Sequence, residues 1–106
     1  MPTPAPDSLL IQTLELKKAA LLFRAINHKL RQQILQLLHK REEMIVTDIY
    51  VKMRITQSEA SQHLAILRKA GLVYTERQGK KIYYSVNEEQ LKLLHDMADQ
   101  LLKKKP

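Results

Sequence analysis

The positions of proline and glycine constrain this chain more than any other feature. Its four prolines lie at the ends, at positions 2, 4, 6 and 106, and its only glycines are Gly71 and Gly79. Proline breaks helices, and glycine permits turns that other residues resist. Residues 7–105 can therefore form long helices, with turns marked by the two glycines. The 106 residues contain no internal repeat or linker. This predicts a flexible arm over residues 1–8 and a single domain over residues 9–105.

Before Gly71, apolar residues recur at helical spacing in four successive segments. We expect Asn27 and Thr47 to cap the second and third helices, because short polar side chains accept hydrogen bonds from exposed helix N–H groups. Thr56 and Glu59 form a capping box that should open the fourth helix. Gly71 should end that helix in the left-handed conformation.

After Gly71 the side-chain pattern changes from the helical period to a period of two residues, which is typical of β-strands. Residues 73–77 and 82–86 alternate as strands do, and residues 78–81 form the turn between them. A last helix follows from Glu88. Only Arg54-Ile55-Thr56 separates the third helix from the fourth, which is helix-turn-helix spacing. The predicted fold is mainly α with a small β-hairpin: a winged helix-turn-helix of order α-α-α-α-β-β-α.

Basic charge is concentrated in the same region. Residues 52–81 hold seven lysines and arginines against two acidic residues, and so carry most of the net charge of +7. Such a local field favours a polyanionic partner, most often nucleic acid. A solvated basic surface is the alternative, but it leaves the helix-turn-helix spacing and the basic hairpin unexplained. The sequence therefore predicts a double-stranded DNA partner.

The fourth helix presents a polar stripe opposite its apolar face, as expected of a helix that reads DNA. Gln62 can pair with an adenine edge in the major groove through two hydrogen bonds. Ala65 is small enough to allow close approach, and basic residues near the C-terminal end can hold phosphates. The predicted contacts from this helix are Gln57, Ser58, Ser61, Gln62, His63, Arg68 and Lys69. The predicted contacts from the hairpin are Arg77, Lys80 and Lys81, which could also serve as a charged edge against aggregation.

Several classes of protein lack support in the composition. The chain has no cysteine, which excludes disulfides, thiolate metal sites and thiol switches. No apolar run approaches the ~18 residues of a membrane span, and no signal peptide is visible. We also find no nucleophile–base pair, phosphate loop or paired carboxylates. The sequence predicts a cytoplasmic protein that is not an enzyme and does not bind membranes.

The stretch from Gln57 to Val73, with Arg77-Gln78-Gly79-Lys80 and Tyr84, resembles the bacterial arsenic-repressor (ArsR-type) winged-helix family. Residues 23–35 resemble its second-helix motif, except that His28-Lys29 stands where a proline is usual. The resemblance implies a homodimeric transcriptional repressor of an inverted-repeat operator, with the first and last helices at the interface. The expected interface residues are Leu10, Leu14, Leu91, Leu94, Ala98 and Leu101.

Family members often respond to metals, but this chain departs from both of their metal sites. Ile45 and Thr47 stand at the cysteine positions of the thiolate site. The residues matching the second site are Glu88, Gln90, Leu101 and Lys104. Of these, only Glu88 could bind a hard metal, so we expect neither a metal nor a cofactor.

Two alternatives stay open at this point. His95 and Asp99 lie one helical turn apart and, with Asp96, could form a non-standard metal site in a metal-responsive repressor. The basic winged helix could instead be an interaction module for an acidic protein or RNA. Such a module would show no preference among DNA sequences.

Overall fold

The fold, taken from a computed structural model, is described for the backbone of residues 6–103 and for the side chains of residues 14–99. The elements in these residues are α1 (Pro6–Ile26), α2 (Lys29–Arg41), β1 (Met44–Ile45), α3 (Val46–Met53), α4 (Gln57–Lys69), β2 (Val73–Gln78), β3 (Lys81–Val86) and α5 (Glu88–Lys103). The winged helix-turn-helix fold is thus confirmed. Helix α1 begins at Pro6, earlier than predicted, and residues 1–5 of the predicted arm lie outside the described residues.

The structure adds a strand that the sequence did not predict. Strand β1 pairs with β3 in antiparallel register, Met44 opposite Tyr84 and Ile45 opposite Tyr83, so the sheet order is β1-β3-β2. A strand of two residues is too short to show a period-two alternation. It joins the end of α2 to the wing.

Two of the predicted helix caps are wrong. Helix α2 is capped by His28, whose Nδ1 accepts a hydrogen bond from the Leu30 N–H at 3.1 Å, and not by Asn27. Helix α3 starts directly after β1, with Ile45 at the cap position and no side-chain cap, so Thr47 lies inside its first turn. Helix α2 therefore begins one residue later, and α3 two residues earlier, than the predicted caps imply.

Both ends of α4 form as predicted. The Thr56 hydroxyl oxygen accepts from the Glu59 N–H at 3.1 Å, and the Glu59 carboxylate accepts from the Thr56 N–H at 3.2 Å. The hydrogen bonds from the Thr56 N–H and hydroxyl lower the pKa of Glu59 from its usual 4.5. At the other end Gly71 has φ +74°, and the Leu72 N–H donates to the Leu67 carbonyl at 2.9 Å. These bonds satisfy backbone groups that a helix end leaves free.

The hairpin also forms as predicted, with each strand one residue longer. Gln78 pairs with Lys81, which leaves a loop of Gly79-Lys80. Gly79 has φ +66°, the left-handed region that glycine enters without strain. A glycine at the first position of a two-residue loop is typical of a type II′ turn, whose twist suits a hairpin.

The core lies where α2, α3, α4 and the sheet meet. Its fully buried large side chains are Ile34, Leu38, Ile49, Leu64, Leu67 and Leu72. Together with Ala60, two of these residues form the buried face of α4 at a spacing of four and three residues. Packing on that face fixes the rotation of α4 about its axis, and therefore decides which residues face solvent.

Candidate nucleic-acid interface

Helices α3 and α4 form the helix-turn-helix. The turn reverses at Arg54, which adopts the left-handed conformation with φ +58°, and its backbone N–H donates to carbonyls in the last turn of α3. Ile55 follows half-buried, and Thr56 then caps α4. Because both helix ends at this turn are hydrogen-bonded, the start of α4 is held at a fixed position relative to α3.

The outer face of α4 carries the polar residues predicted from the sequence. Gln62 and Ala65 are exposed, opposite the buried face formed by Ala60, Leu64 and Leu67. The other predicted contacts on this exposed face are Gln57, Ser58, Ser61, Arg68 and Lys69. The face offers amide and hydroxyl groups near the helix start and cations near its end, which is the chemistry needed to contact base edges and phosphates.

Ile66 lies on the exposed side of α4. Its surface is 41 % exposed. It is an apolar residue beside the polar stripe, and apolar side chains of DNA-reading helices can contact thymine methyl groups.

His63, the remaining predicted contact, is placed apart from the others. It is half-buried and faces the start of α2, where its Nδ1 lies 3.3 Å from Nη1 of Arg31. Its ring centroid is 4.6 Å from that of His28, with the two planes tilted by 53°. Burial, with a smaller contribution from the neighbouring His28 and Arg31, lowers the pKa of His63 from its usual 6.5.

Arg31 is the residue that sequence reasoning missed. It is 9 % exposed, and its Nε and Nη2 donate to the carbonyls of Ala25 and Arg24 in the last turn of α1. The signal available in the sequence was its position, three residues before Ile34 on the apolar face of α2. A charged residue on such a face needs buried partners.

The wing presents its basic residues near the turn. Arg77, Lys80 and Lys81 are all exposed. Arg77 Nε donates to the Gly79 carbonyl at 3.3 Å, which holds the guanidinium against the turn. The two lysines each carry a compact ammonium charge on a flexible side chain. This arrangement is suited to contacts with a phosphate backbone.

The predicted dimer-interface residues fall into three groups. The side chains of Leu10 and Leu101 lie outside the described residues. On α1, Leu14 is half exposed. On α5, Leu94 is 3 % exposed within the chain's own core, and Leu91 packs against that core. Ala98 is half-buried beside an open groove between α2 and α5.

Other leucines of the same helices are exposed as well. Leu16 is 70 % exposed on α1 and Leu93 is 51 % exposed on α5. Leu21 on α1 is also exposed. Exposed leucines on two neighbouring helices make an apolar surface of the kind that marks a protein interface.

No group of three or more metal-ligating side chains converges within residues 14–99. Glu88, the possible hard-metal ligand, pairs with His39 of α2, with 2.6 Å between Oε1 and Nδ1. Nδ1 of His95 lies 4.0 Å from Oδ1 of Asp96 on a strongly exposed part of α5. None of the helices described is long and apolar enough to cross a membrane.

The geometry agrees with comparisons to known proteins. Residues 28–75 match the family described as "Bacterial regulatory protein, arsR family". The chain is 35 % identical over 77 residues to the transcriptional repressor PagR of Bacillus anthracis, covering 73 % of this chain and 77 % of that protein. It is 32 % identical over 84 residues to the transcriptional activator HlyU of Vibrio cholerae, covering 79 % and 77 % respectively.

A solved structure is similar along almost the whole length. The crystal structure of NolR from Sinorhizobium fredii superposes with a TM-score of 0.70 at 34 % sequence identity. The superposition covers 93 % of this chain and 95 % of that chain.

Proposed function

This chain belongs to the arsR family of bacterial regulatory proteins, and we propose that it is a homodimeric repressor that reads an inverted-repeat operator without a metal or thiol switch. The observation that carries this proposal is the exposed polar stripe of α4, held at both ends by its caps and flanked by a basic wing. PagR is named a repressor and HlyU an activator, so the direction of regulation is part of the proposal.

In this proposal α4 lies in the major groove and reads bases with the residues near its start. Gln62 pairs with an adenine, and Ser58 and Ser61 donate to or accept from neighbouring base edges. Arg68 and Lys69 hold phosphates at the end of the helix. His63 supports the helix from its inner side.

The wing contributes affinity more than sequence preference. Lys80 and Lys81 lie at the tip of the hairpin, and Arg77 is held beside the same turn. Cations placed along phosphates release counterions, and so strengthen binding to every DNA sequence alike. The wing therefore sets the salt dependence of binding.

A second copy of the chain covers the exposed leucines of α1 and α5. Leu14, Leu16 and Leu93 leave apolar surface in water that a symmetric pairing would remove. Residues 9–105 then serve as a single DNA-binding and dimerisation domain. Two copies of α4 about 34 Å apart would read two half-sites on one side of the duplex.

The proposed function is tested by selecting bound duplexes from a random DNA pool at ~150 mM salt, where non-specific contacts are weak. We expect an inverted repeat with half-sites about one helical turn apart. Binding that disappears as salt rises, with no motif recovered, would contradict sequence reading. That outcome would favour an interaction module for RNA or an acidic protein.

Replacing Lys80 with alanine tests the role of the wing. We expect affinity for the operator and for random DNA to fall alike, and the slope of log affinity against log salt to decrease by about 1. The measurement is a salt titration of both complexes. Lys92→Ala on α5 removes another exposed lysine, outside α4 and the wing, and should leave the slope unchanged. An unchanged slope in the Lys80 variant would remove this residue from the phosphate contacts.

A further inference from the structure

Arg31 joins three helices at one point. Its Nε donates to the Ala25 carbonyl at 2.5 Å and its Nη2 to the Arg24 carbonyl at 3.2 Å, both in the last turn of α1. Carbonyls at a helix end lack partners within the helix and attract cations. The remaining nitrogen, Nη1, lies 3.3 Å from Nδ1 of His63 on α4. One buried guanidinium therefore connects α1, α2 and the helix that we assign to the operator.

The contact with His63 requires a neutral imidazole. A guanidinium has only donors and stays charged at every physiological pH. Nδ1 of His63 must therefore be the acceptor, which leaves the proton on Nε2. Protonation of the ring would place an N–H against an N–H and a second positive charge beside Arg31. The contact then changes from a hydrogen bond to a repulsion.

The neighbouring His28 lies beside this contact. Its Nδ1 accepts from the Leu30 N–H and caps α2. The rings of His28 and His63 are 4.6 Å apart. Protonation of His63 would therefore place a positive charge next to the guanidinium of Arg31 and beside the start of α2.

Little negative charge lies near His63 to favour its protonated form. On its own helix Glu59, one turn earlier, is the carboxylate that favours the protonated ring. That carboxylate is already engaged with the Thr56 N–H and hydroxyl in the capping box. From α2 the facing groups are His28 and Arg31, and α1 contributes the carbonyls that hold Arg31. Burial acts first, and His28 and Arg31 act in the same direction, against the protonated ring of His63.

We propose that Arg31 and His63 position α4 for the operator, and that protonation of His63 breaks this link, so that operator affinity falls on acidification. This inference rests on the proposed function of α4. When the link is lost, α4 keeps its buried apolar face but loses its polar connection to α1 and the start of α2. A shift of α4 would misalign its hydrogen bonds to base edges, while the buried apolar face could still hold the fold together.

The expected change in operator affinity is opposite to the one that net charge alone would produce. Acidification makes a protein more positive, and a more positive protein binds DNA more tightly. A positioning role for neutral His63 predicts the reverse. The lowered pKa means that the unfolded state also takes up protons more readily than the folded state. The contribution of His63 to stability is therefore present above pH 6.5 and is lost as the pH falls through the folded pKa.

The test measures operator and random-DNA affinity of the full chain between about pH 7.5 and about pH 5.5 at fixed salt. We expect operator affinity to fall by up to about tenfold per pH unit once the pH is below the pKa of His63. Random-DNA affinity should be unchanged or rise. Circular dichroism at each pH confirms that the chain stays folded. Operator affinity that holds or rises on acidification overturns the proposal.

His63→Gln separates positioning from titration. Its amide oxygen can accept from Arg31 and does not titrate. We expect near-normal operator affinity at about pH 7.5 and a flat profile below it. The matched control is His95→Gln, since the His95 side chain is 81 % exposed on α5, and it should keep the wild-type profile. A wild-type profile in the His63 variant overturns the assignment to His63.

A measurement without DNA tests the contact between Arg31 and His63 independently of operator binding. Ring-nitrogen NMR of the wild-type chain should show His63 with its proton on Nε2 at neutral pH and a titration midpoint below 6.5. A proton on Nδ1 would exclude the hydrogen bond from Arg31 and overturn the proposal. Absence of operator binding at every pH would overturn the proposed function instead. The NMR result would still decide whether the link exists.

Discussion

Replacing Leu67 with alanine is expected to lower the free energy of unfolding by about 2–5 kcal/mol. The Leu67 side chain is fully buried on the inner face of α4, and its carbonyl accepts the Leu72 N–H that closes the helix. Truncation leaves a cavity that the neighbouring side chains fill only in part. A domain of this size has a stability of about 5–15 kcal/mol, so the loss is a large share of the total.

The measurement is urea unfolding at one fixed protein concentration, since association would add to the apparent stability. Ile66→Ala is the matched control, because this neighbour on the same helix is 41 % exposed. Its effect should stay within about 0.5 kcal/mol. Equal losses in the two variants would contradict the orientation of α4 described above.

Replacing Gln62 with alanine is expected to weaken operator binding by about 1–3 kcal/mol, or about 5- to 150-fold, and to leave random-DNA binding nearly unchanged. Gln62 is exposed at the centre of the polar stripe of α4. Its amide can donate to and accept from an adenine at the same time. The methyl group of alanine can form neither hydrogen bond. Discrimination between the two DNAs should therefore fall.

Titrations of both DNAs at one salt concentration give the two affinities. Gln33→Ala on α2 is the control, since it removes an exposed glutamine outside α4 and the wing. It should change neither affinity. Equal weakening on operator and random DNA would show that Gln62 contacts the backbone and does not read a base.

Most of the structural features that could be predicted depend on interactions between residues close together in the sequence. The capping box at Thr56 and Glu59 and the left-handed Gly71 fixed both ends of α4 from the sequence alone. Its polar stripe then followed from helical spacing. Gly79 likewise placed the turn of the wing. These features depend on residues within one or two turns of each other, so the sequence contains the information needed.

Predictions that depend on distant partners were less complete. We predict Asn27 as the cap of α2, because asparagine is a common cap residue. In the structure the cap is His28, whose ring also packs on His63. Leu94 has the spacing of an interface residue but lies in the chain's own core, and the more exposed leucine of α5 is Leu93. Periodicity defines a face of a helix, but it does not say what covers that face.

The sequence by itself therefore determined the element types, the turns and the chemistry displayed by α4 and the wing. Only the tertiary structure decided that β1 pairs with β3, and that Arg31 links α1 to His63. The physical reason is separation along the chain. Arg31 and His63 are 32 residues apart, and nothing in either local pattern records the distance between their side chains. Their contact exists because packing of the apolar faces brings the start of α2 against α4.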